Sequence, residues 1–263
     1  MRRWLLSIFI LFQSWIAYAQ NDFCGIHNMA FLPGEEITYK VYYNWGKLYV
    51  GAGEATFKAS LEKLDGMNVY HVVGEGKTYR TYDWFFKVRD RYESYIDTAT
   101  MLPLQFIRNV NEGGYKINQE VAFDQQQHKA TSKKGVFDVP QCVQDVLSTV
   151  YYARNINFDR YNPNDKIPIS LFLDDKVYHI YIRYLGKENV ETRFGTFTAI
   201  KFKPLLIKGT IFEGGEKMTV WVSDDKNHIP LRIDTPITVG SIKVDMIGYK
   251  HLRYPFTSMI DKR

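Results

Sequence analysis

The strongest constraint on this chain is an alternation of β-branched or aromatic residues with polar ones that recurs along most of its length. Glu36-Ile37-Thr38-Tyr39-Lys40-Val41-Tyr42-Tyr43, Val177-Tyr178-His179-Ile180-Tyr181-Ile182-Arg183-Tyr184 and Met218-Thr219-Val220-Trp221-Val222 all carry it. Successive side chains of a strand point to opposite faces, so a period of two gives each segment one face for a core and one for water. Between such runs stand Asp65-Gly66, Gly113-Gly114, Asp174-Asp175 and Gly214-Gly215. These residue types bond their own backbone or accept positive φ in tight turns. Aromatic residues make up 16% of the chain, and large rings pack well on a pleated surface. The pattern predicts an all-β, mostly antiparallel fold: a roll, barrel or half-barrel.

One segment breaks the alternation. From Pro140 to Asn155 the apolar residues Val143, Val146, Leu147, Val150 and Tyr151 follow the helical spacing i, i+3, i+4, i+7, i+8. Asp138 is placed to cap it, and Pro140 is tolerated in a first turn. The spacing predicts one central helix near 140–155, with Cys142 on its first turn and Ser148 in its middle.

Either side of that segment the chain repeats itself faintly. Asp97 precedes Pro103-Leu104 and Phe106 as Asp224 precedes Pro230-Leu231 and Ile233, and the same offset carries Gly113 and Lys116-Ile117 onto Gly240 and Lys243-Val244. Each unit reads as a strand, an Asp-opened turn and a strand entered through Pro. Gly46-Lys47 and Gly53 resemble Gly186-Lys187 and Gly195 in the same way. Two related β modules are expected, 33–138 and 161–263, joined by a helix and linker at 139–160 and preceded by an arm at 20–32.

Residues 1–19 have the composition of a secretory signal. Arg2 and Arg3 precede an apolar run from Trp4 to Ile16, and Ala17-Tyr18-Ala19 offers a small-x-small cleavage site. The run is shorter than the roughly 20 residues that cross a bilayer as a helix. Cys24 follows Asn21-Asp22-Phe23, which is unlike the small-residue run before a lipidated cysteine. An exported chain, periplasmic or associated with the outer envelope and cleaved near Ala19, is expected. No second apolar run offers a transmembrane span, which leaves room for peripheral membrane contact. In an oxidising compartment the two cysteines, Cys24 and Cys142, invite one disulfide.

The formal charge is +5, and Arg2 and Arg3 in the leader supply two of those charges. With Lys133-Lys134 as the one short basic cluster, no nucleic-acid footprint is expected. The six histidines, His27, His71, His128, His179, His228 and His251, are scattered without metal-ligand spacing, so no metal site or cofactor is expected. His71 and His179 read as half-buried strand residues. Asp174-Asp175 and Asp224-Asp225 read as turns, although Asp224, Asp225 and Asn227 together could offer oxygens to calcium. No Gly-x-Ser-x-Gly elbow occurs. Gly51-x-Gly53 and Gly74-x-Gly76 precede strand-like sequence, so they read as bulges or bends rather than phosphate loops. The chain is expected not to be an enzyme.

What remains is aromatic. Tyr82, Trp84, Phe85 and Phe86 form a dense cluster beside Arg80 and Arg89, and Tyr42 and Trp45 form a second. Rings with flanking arginines suit a lipid or glycan surface, and they equally suit a hairpin packed into its own core.

The runs Pro33-Gly34-Glu35-Glu36-Ile37-Thr38-Tyr39-Lys40-Val41 with Tyr43, Gly51-Ala52-Gly53-Glu54-Ala55, Asp145-Val146-Leu147-Ser148, Tyr151-Tyr152-Ala153-Arg154 and Trp221-Val222-Ser223-Asp224-Asp225 through Pro230 resemble the domain-of-unknown-function 3108 family. The resemblance implies a bacterial exported or envelope protein of Bacteroidota type, with no established activity. The strand-turn-strand units are also similar to the outer-membrane lipoprotein carrier fold, a half-barrel closed by helices around an apolar cavity. Three functions stay open: non-catalytic binding or transport of an amphipathic envelope ligand, lipid or glycan; a structural partner for another envelope protein; and a hydrolase with a site assembled across strands.

Overall fold

A computed structural model describes residues 24–208 and 214–262. The leader, with its expected cleavage near Ala19, lies outside them. Fifteen strands form one sheet. The first eight are β1 (Glu36–Trp45), β2 (Leu48–Leu64), β3 (Met67–Thr78), β4 (Arg89–Asp97), β5 (Pro103–Glu112), β6 (Tyr115–Asp124), β7 (Lys129–Ser132) and β8 (Gly135–Asp138). After helix α1 (Val146–Ala153) come β9 (Lys166–Leu173), β10 (Lys176–Glu191), β11 (Gly195–Pro204), β12 (Thr219–Ser223), β13 (Pro230–Pro236), β14 (Ser241–Lys250) and β15 (Met259–Lys262).

Every ladder is antiparallel between chain neighbours, except that β14 pairs β1 and β15 pairs β11. The two meanders, β1–β8 and β9–β14, are therefore one continuous sheet, and β8 and β9 are left as its ends. No ladder joins those ends among the described residues. Instead the β9–β10 turn reaches across to the first meander. Arg108 bonds Asp174, and Asp175 takes Lys134 at 2.9 Å. Phe172 packs on Phe123 and Phe137 at 6.0 and 5.7 Å between ring centroids. The sheet is thus an open half-barrel roll whose gap is closed by side chains.

The turns follow the chemistry of their residues. Asp174 and Asp175 both sit at positive φ between β9 and β10, and Gly113 and Gly114 do the same between β5 and β6. Asp97 accepts from Ala99 N at 3.2 Å and from Thr100 Oγ1 at 2.7 Å before Pro103 opens β5. In the matching unit Asp225, not Asp224, accepts from Asn227 N, at 2.9 Å, before Pro230 opens β13. The other half of the repeat diverges. Gly46 makes the β1–β2 turn, whereas Gly186 kinks β10 in mid-strand, where the register to β11 shifts.

The helix is shorter than its spacing predicts. It begins at Val146, because residues before it are drawn into the sheet: Gln144 N donates to Ser170 O and Phe172 N to Gln144 O, both at 2.9 Å. Asp145 rather than Asp138 is the cap. Asp138 ends β8, and Cys142 lies ahead of the helix at positive φ. Cys142 is bonded to Cys24, with 5.5 Å between Cα atoms, which ties the arm alongside α1. The arm continues along the helix through Ile26 N to Tyr152 Oη at 3.3 Å and Met29 N to Asn155 Oδ1 at 2.6 Å. Gly51 and Gly53 flank a bulge, as expected. Gly74 and Gly76 do not, and Gly74 instead leaves room for Phe57 and Leu147.

Candidate functional site: an apolar cleft under the helix and an exposed rim

Helix α1 lies on the concave face of the roll because both of its ends are tethered. At its start Asp145 Oδ1 accepts from Leu147 N and Ser148 N at 2.7 and 2.8 Å, and Ser148 Oγ accepts from Asp145 N at 2.9 Å. That capping box satisfies amides that no helical carbonyl can reach. Ser148 is accordingly part of the cap rather than of the helix middle. Ser94 of β4 donates to the other Asp145 oxygen at 2.6 Å, which holds the helix start to the sheet. Burial pushes the Asp145 carboxyl up to about 6 in spite of those hydrogen bonds.

Just past the helix end, Arg154 forms a buried fork with Glu35. Nη1 to Oε1 is 2.5 Å and Nη2 to Oε2 is 2.9 Å, while Nε donates to Asn227 O at 3.0 Å. Phe31 and Tyr151 flank the guanidinium at 5.5 Å. The His228 ring meets Arg154 O through Nδ1 at 2.7 Å; burial lowers its pKa, so it is neutral with that proton on Nδ1. Burial likewise raises the Tyr39 and Tyr151 hydroxyls.

Between these tethers the helix does not fill the roll. A cleft of about 190 Å³ runs under Thr149, Val150, Ala153 and Arg154, walled by Ile169, Ile180, Ile182, Phe202, Val220, Val222 and Ile233 of β9 to β13 and by Met218 just ahead of β12. A second hollow of about 90 Å³ shares Val150, Arg154, Pro230 and Ile233 and extends to Ile37, Tyr39, Phe57 and Val244. The lining of the larger cleft is almost wholly apolar, and its polar members Thr149, Arg154, Tyr181 and His228 are spent on protein partners. An apolar cavity of roughly 150 Å³ admits a benzene-sized guest. The larger cleft therefore matches one ring or the end of one alkyl chain.

None of the eight aromatic and basic candidates lines this cleft; they lie at a rim of the roll. Trp84 and Phe85 are 84% and 68% exposed on the β3–β4 loop, and Phe86 rests against Gly113 of the β5–β6 turn. Tyr82 and Arg80 form the short 3-10 turn of that loop. Arg89 is structural, since it holds Asp83 at 2.7 Å and the Thr78 hydroxyl at 3.1 Å. Trp45 is exposed at the β1–β2 tip, while Tyr42 is buried, stacked on Tyr49 at 5.3 Å with Arg193 over its ring. Reading the sequence passed over the cleft-lining residues, because alternation marks an inward face without saying whether helix or empty space covers it.

Several other titratable groups are held by local partners. His71 bridges Glu62 and Glu93 at 2.8 and 2.9 Å and stacks on Tyr95, and His179 lies 3.4 Å from Ser170 Oγ. Asp224 pairs with Lys187 at 2.9 Å, and Asn227 bonds the backbone of Tyr254. Among the described residues no three His, Cys, Asp or Glu side chains gather as metal ligands, and no helix is long and apolar enough to cross a membrane.

No curated protein matches the sequence. Among solved structures, a β-barrel-like protein of the domain of unknown function DUF1849 from Brucella abortus superposes with a TM-score of 0.57 at 9% identity, covering 87% of this chain and all of its own. A protein described as a lipoprotein from Parabacteroides distasonis gives 0.35 at 10% identity, over 86% of this chain and 99% of its own. An exported-type protein of YmcC-like fold from Bacteroides fragilis gives 0.33 at 12% identity, with the same coverage. The first of these likenesses is one of fold, a barrel-like sheet as described above. The family model of DUF3108, a protein family of unknown function, matches residues 38–247, nearly the whole run from β1 to β14, and the chain belongs to that family.

Proposed function

We propose that this protein is a non-catalytic envelope carrier or receptor that takes the apolar end of an amphipathic ligand into the cleft beneath α1. The observation that carries the reading is the unfilled, apolar space between the helix and strands β9 to β13. Cores normally pack to crystal density, and a void this size forfeits contacts on all its walls. A guest chain would restore them. The size favours one alkyl chain end or ring over a two-chain lipid, whose bulk would remain outside. The leader-like residues 1–19 support placement outside the cytoplasm, where such amphiphiles must cross water.

Displacement of a fluorescent apolar probe by straight-chain fatty acids of increasing length tests this reading. Saturable displacement by some chain length, lost when Val150→Phe fills the cleft while thermal stability is kept, is the expected result. Failure of every chain length to bind would sink the proposal.

A further inference from the structure

The exposed tryptophans and phenylalanines gather at one end of the roll. In an antiparallel meander alternate tips share an end, so the β1–β2, β3–β4 and β5–β6 tips lie side by side, joined by the β13–β14 tip beside β1. Tyr43 Oη to Val239 O at 3.1 Å and Gly113 N to Lys87 O at 2.9 Å tie these tips to their neighbours. They carry Trp45, Leu48, Tyr49, Trp84, Phe85 and Tyr115, all exposed, with Trp84 and Phe85 packed on each other at 5.9 Å. At the opposite end the β2–β3 hairpin exposes Leu61 and Met67, and no described tryptophan or phenylalanine is exposed there.

The same three tips carry exposed Lys47, Arg80, Lys87 and Lys116. Of the carboxylates at this end, Asp83 is neutralised by Arg89, and Glu112 is hydrogen-bonded to Asp90, whose carboxyl is pushed up to about 6 by burial and by that neighbour. Rings raised on separate hairpin tips, with cations between them, do not form the flat continuous patch that a protein partner would cover. They match a bilayer interface, where Trp and Tyr rest at headgroup depth and lysines and arginines meet lipid phosphates.

We infer that this rim docks the protein on an anionic membrane surface, with Trp84 and Phe85 entering the interface and Lys47, Arg80, Lys87 and Lys116 holding the headgroups. The contact needs no ligand in the cleft, so it stands or falls separately from the carrier reading.

Co-sedimentation of the purified protein with vesicles tests it. The vesicles are equal parts phosphatidylglycerol and phosphatidylcholine, set against phosphatidylcholine alone. Binding is expected to the anionic vesicles, weakened by salt as exposed charges are screened. Tryptophan emission should shift to the blue, because Trp45 and Trp84 are two of the three described tryptophans. Trp84→Ala with Phe85→Ala should weaken binding at least about tenfold, since the interface favours such rings. Leu61→Ala with Met67→Ala, at the other end, should leave it unchanged, as should Val150→Phe in the cleft. Thermal unfolding of each variant guards against loss of fold, and Trp45→Ala alone serves if the double variant is unstable. No binding to either vesicle, or equal binding by the rim variant, overturns the inference and leaves the rim to a protein partner.

Discussion

Removing the Glu35 carboxylate should destabilise the fold more than any other single polar change. Its side chain and that of Arg154 are 1% and 3% exposed, and the fork at 2.5 and 2.9 Å is the only anionic partner of the guanidinium among the described residues. Glu35→Gln keeps the shape but leaves a buried cation without its counter-ion, a loss of about 3–5 kcal/mol. Against a typical total of roughly 5–15 kcal/mol that is a large share. At about 2–4 °C per kcal/mol for a chain of this size, the melting temperature should fall by about 10 °C. Arg154→Met strands the carboxylate instead and should cost a similar amount. The informative variant is the double one, Glu35→Leu with Arg154→Met. It removes both charges, so only the acceptor at Asn227 O is left unpaired, a cost of about 1–3 kcal/mol. Urea unfolding followed by far-ultraviolet circular dichroism gives all three free energies, and the double-mutant cycle gives the coupling. A Glu35→Gln protein within about 1 kcal/mol of the parent would refute the reasoning, because a buried unpaired charge cannot be that cheap. So would a double variant as unstable as the two single losses summed.

Three further outcomes follow from the same geometry. Burial raises the Asp145 carboxyl from the ordinary 3.8 to about 6 in the folded protein, so its contribution is fully present below about pH 3.8 and is lost as pH rises through about 6. Relative to Asp145→Asn, the parent should lose about 3 kcal/mol of urea stability between about pH 3 and pH 7, and a flat difference would show that the carboxyl is not perturbed. The Cys24–Cys142 bond closes a separation of 118 residues, so Cys24→Ser with Cys142→Ser should cost about 4 kcal/mol, read as a drop in urea midpoint that reductant no longer deepens. At Gly53 an added Cβ would sit 2.3 Å from Lys77 O, whereas at Gly76 it would meet nothing. Gly53→Ala should therefore destabilise by about 2–3 kcal/mol and Gly76→Ala should be neutral or slightly stabilising, and equal effects would mean the β2–β3 register is wrong.

Much of the architecture was legible because it rests on local rules. Period-two segments such as Glu36–Tyr43 became strands, and Asp174-Asp175 and Gly113-Gly114 became turns, since alternation and positive φ are properties of a few neighbouring residues. The helix was legible in kind but not in extent. Its stripe runs back to Val143, yet Gln144 is claimed by β9, a partner lying 26 residues downstream that no local pattern reveals. The same limit hid the roles of Glu35 and Arg154, which read as ordinary charged residues until the fold brings them together across 119 positions.

By itself the sequence determined which segments are strands, where they turn, that one helix interrupts them, and which two cysteines could meet. Only the tertiary structure decided that the two meanders join through β1 and β14 as one open sheet, that α1 leaves a cleft over β9 to β13, and that Trp84 and Phe85 face solvent instead of a core. The reason is physical. Alternation says which side chains share a face, but whether that face meets helix, void or water depends on how the whole sheet curls.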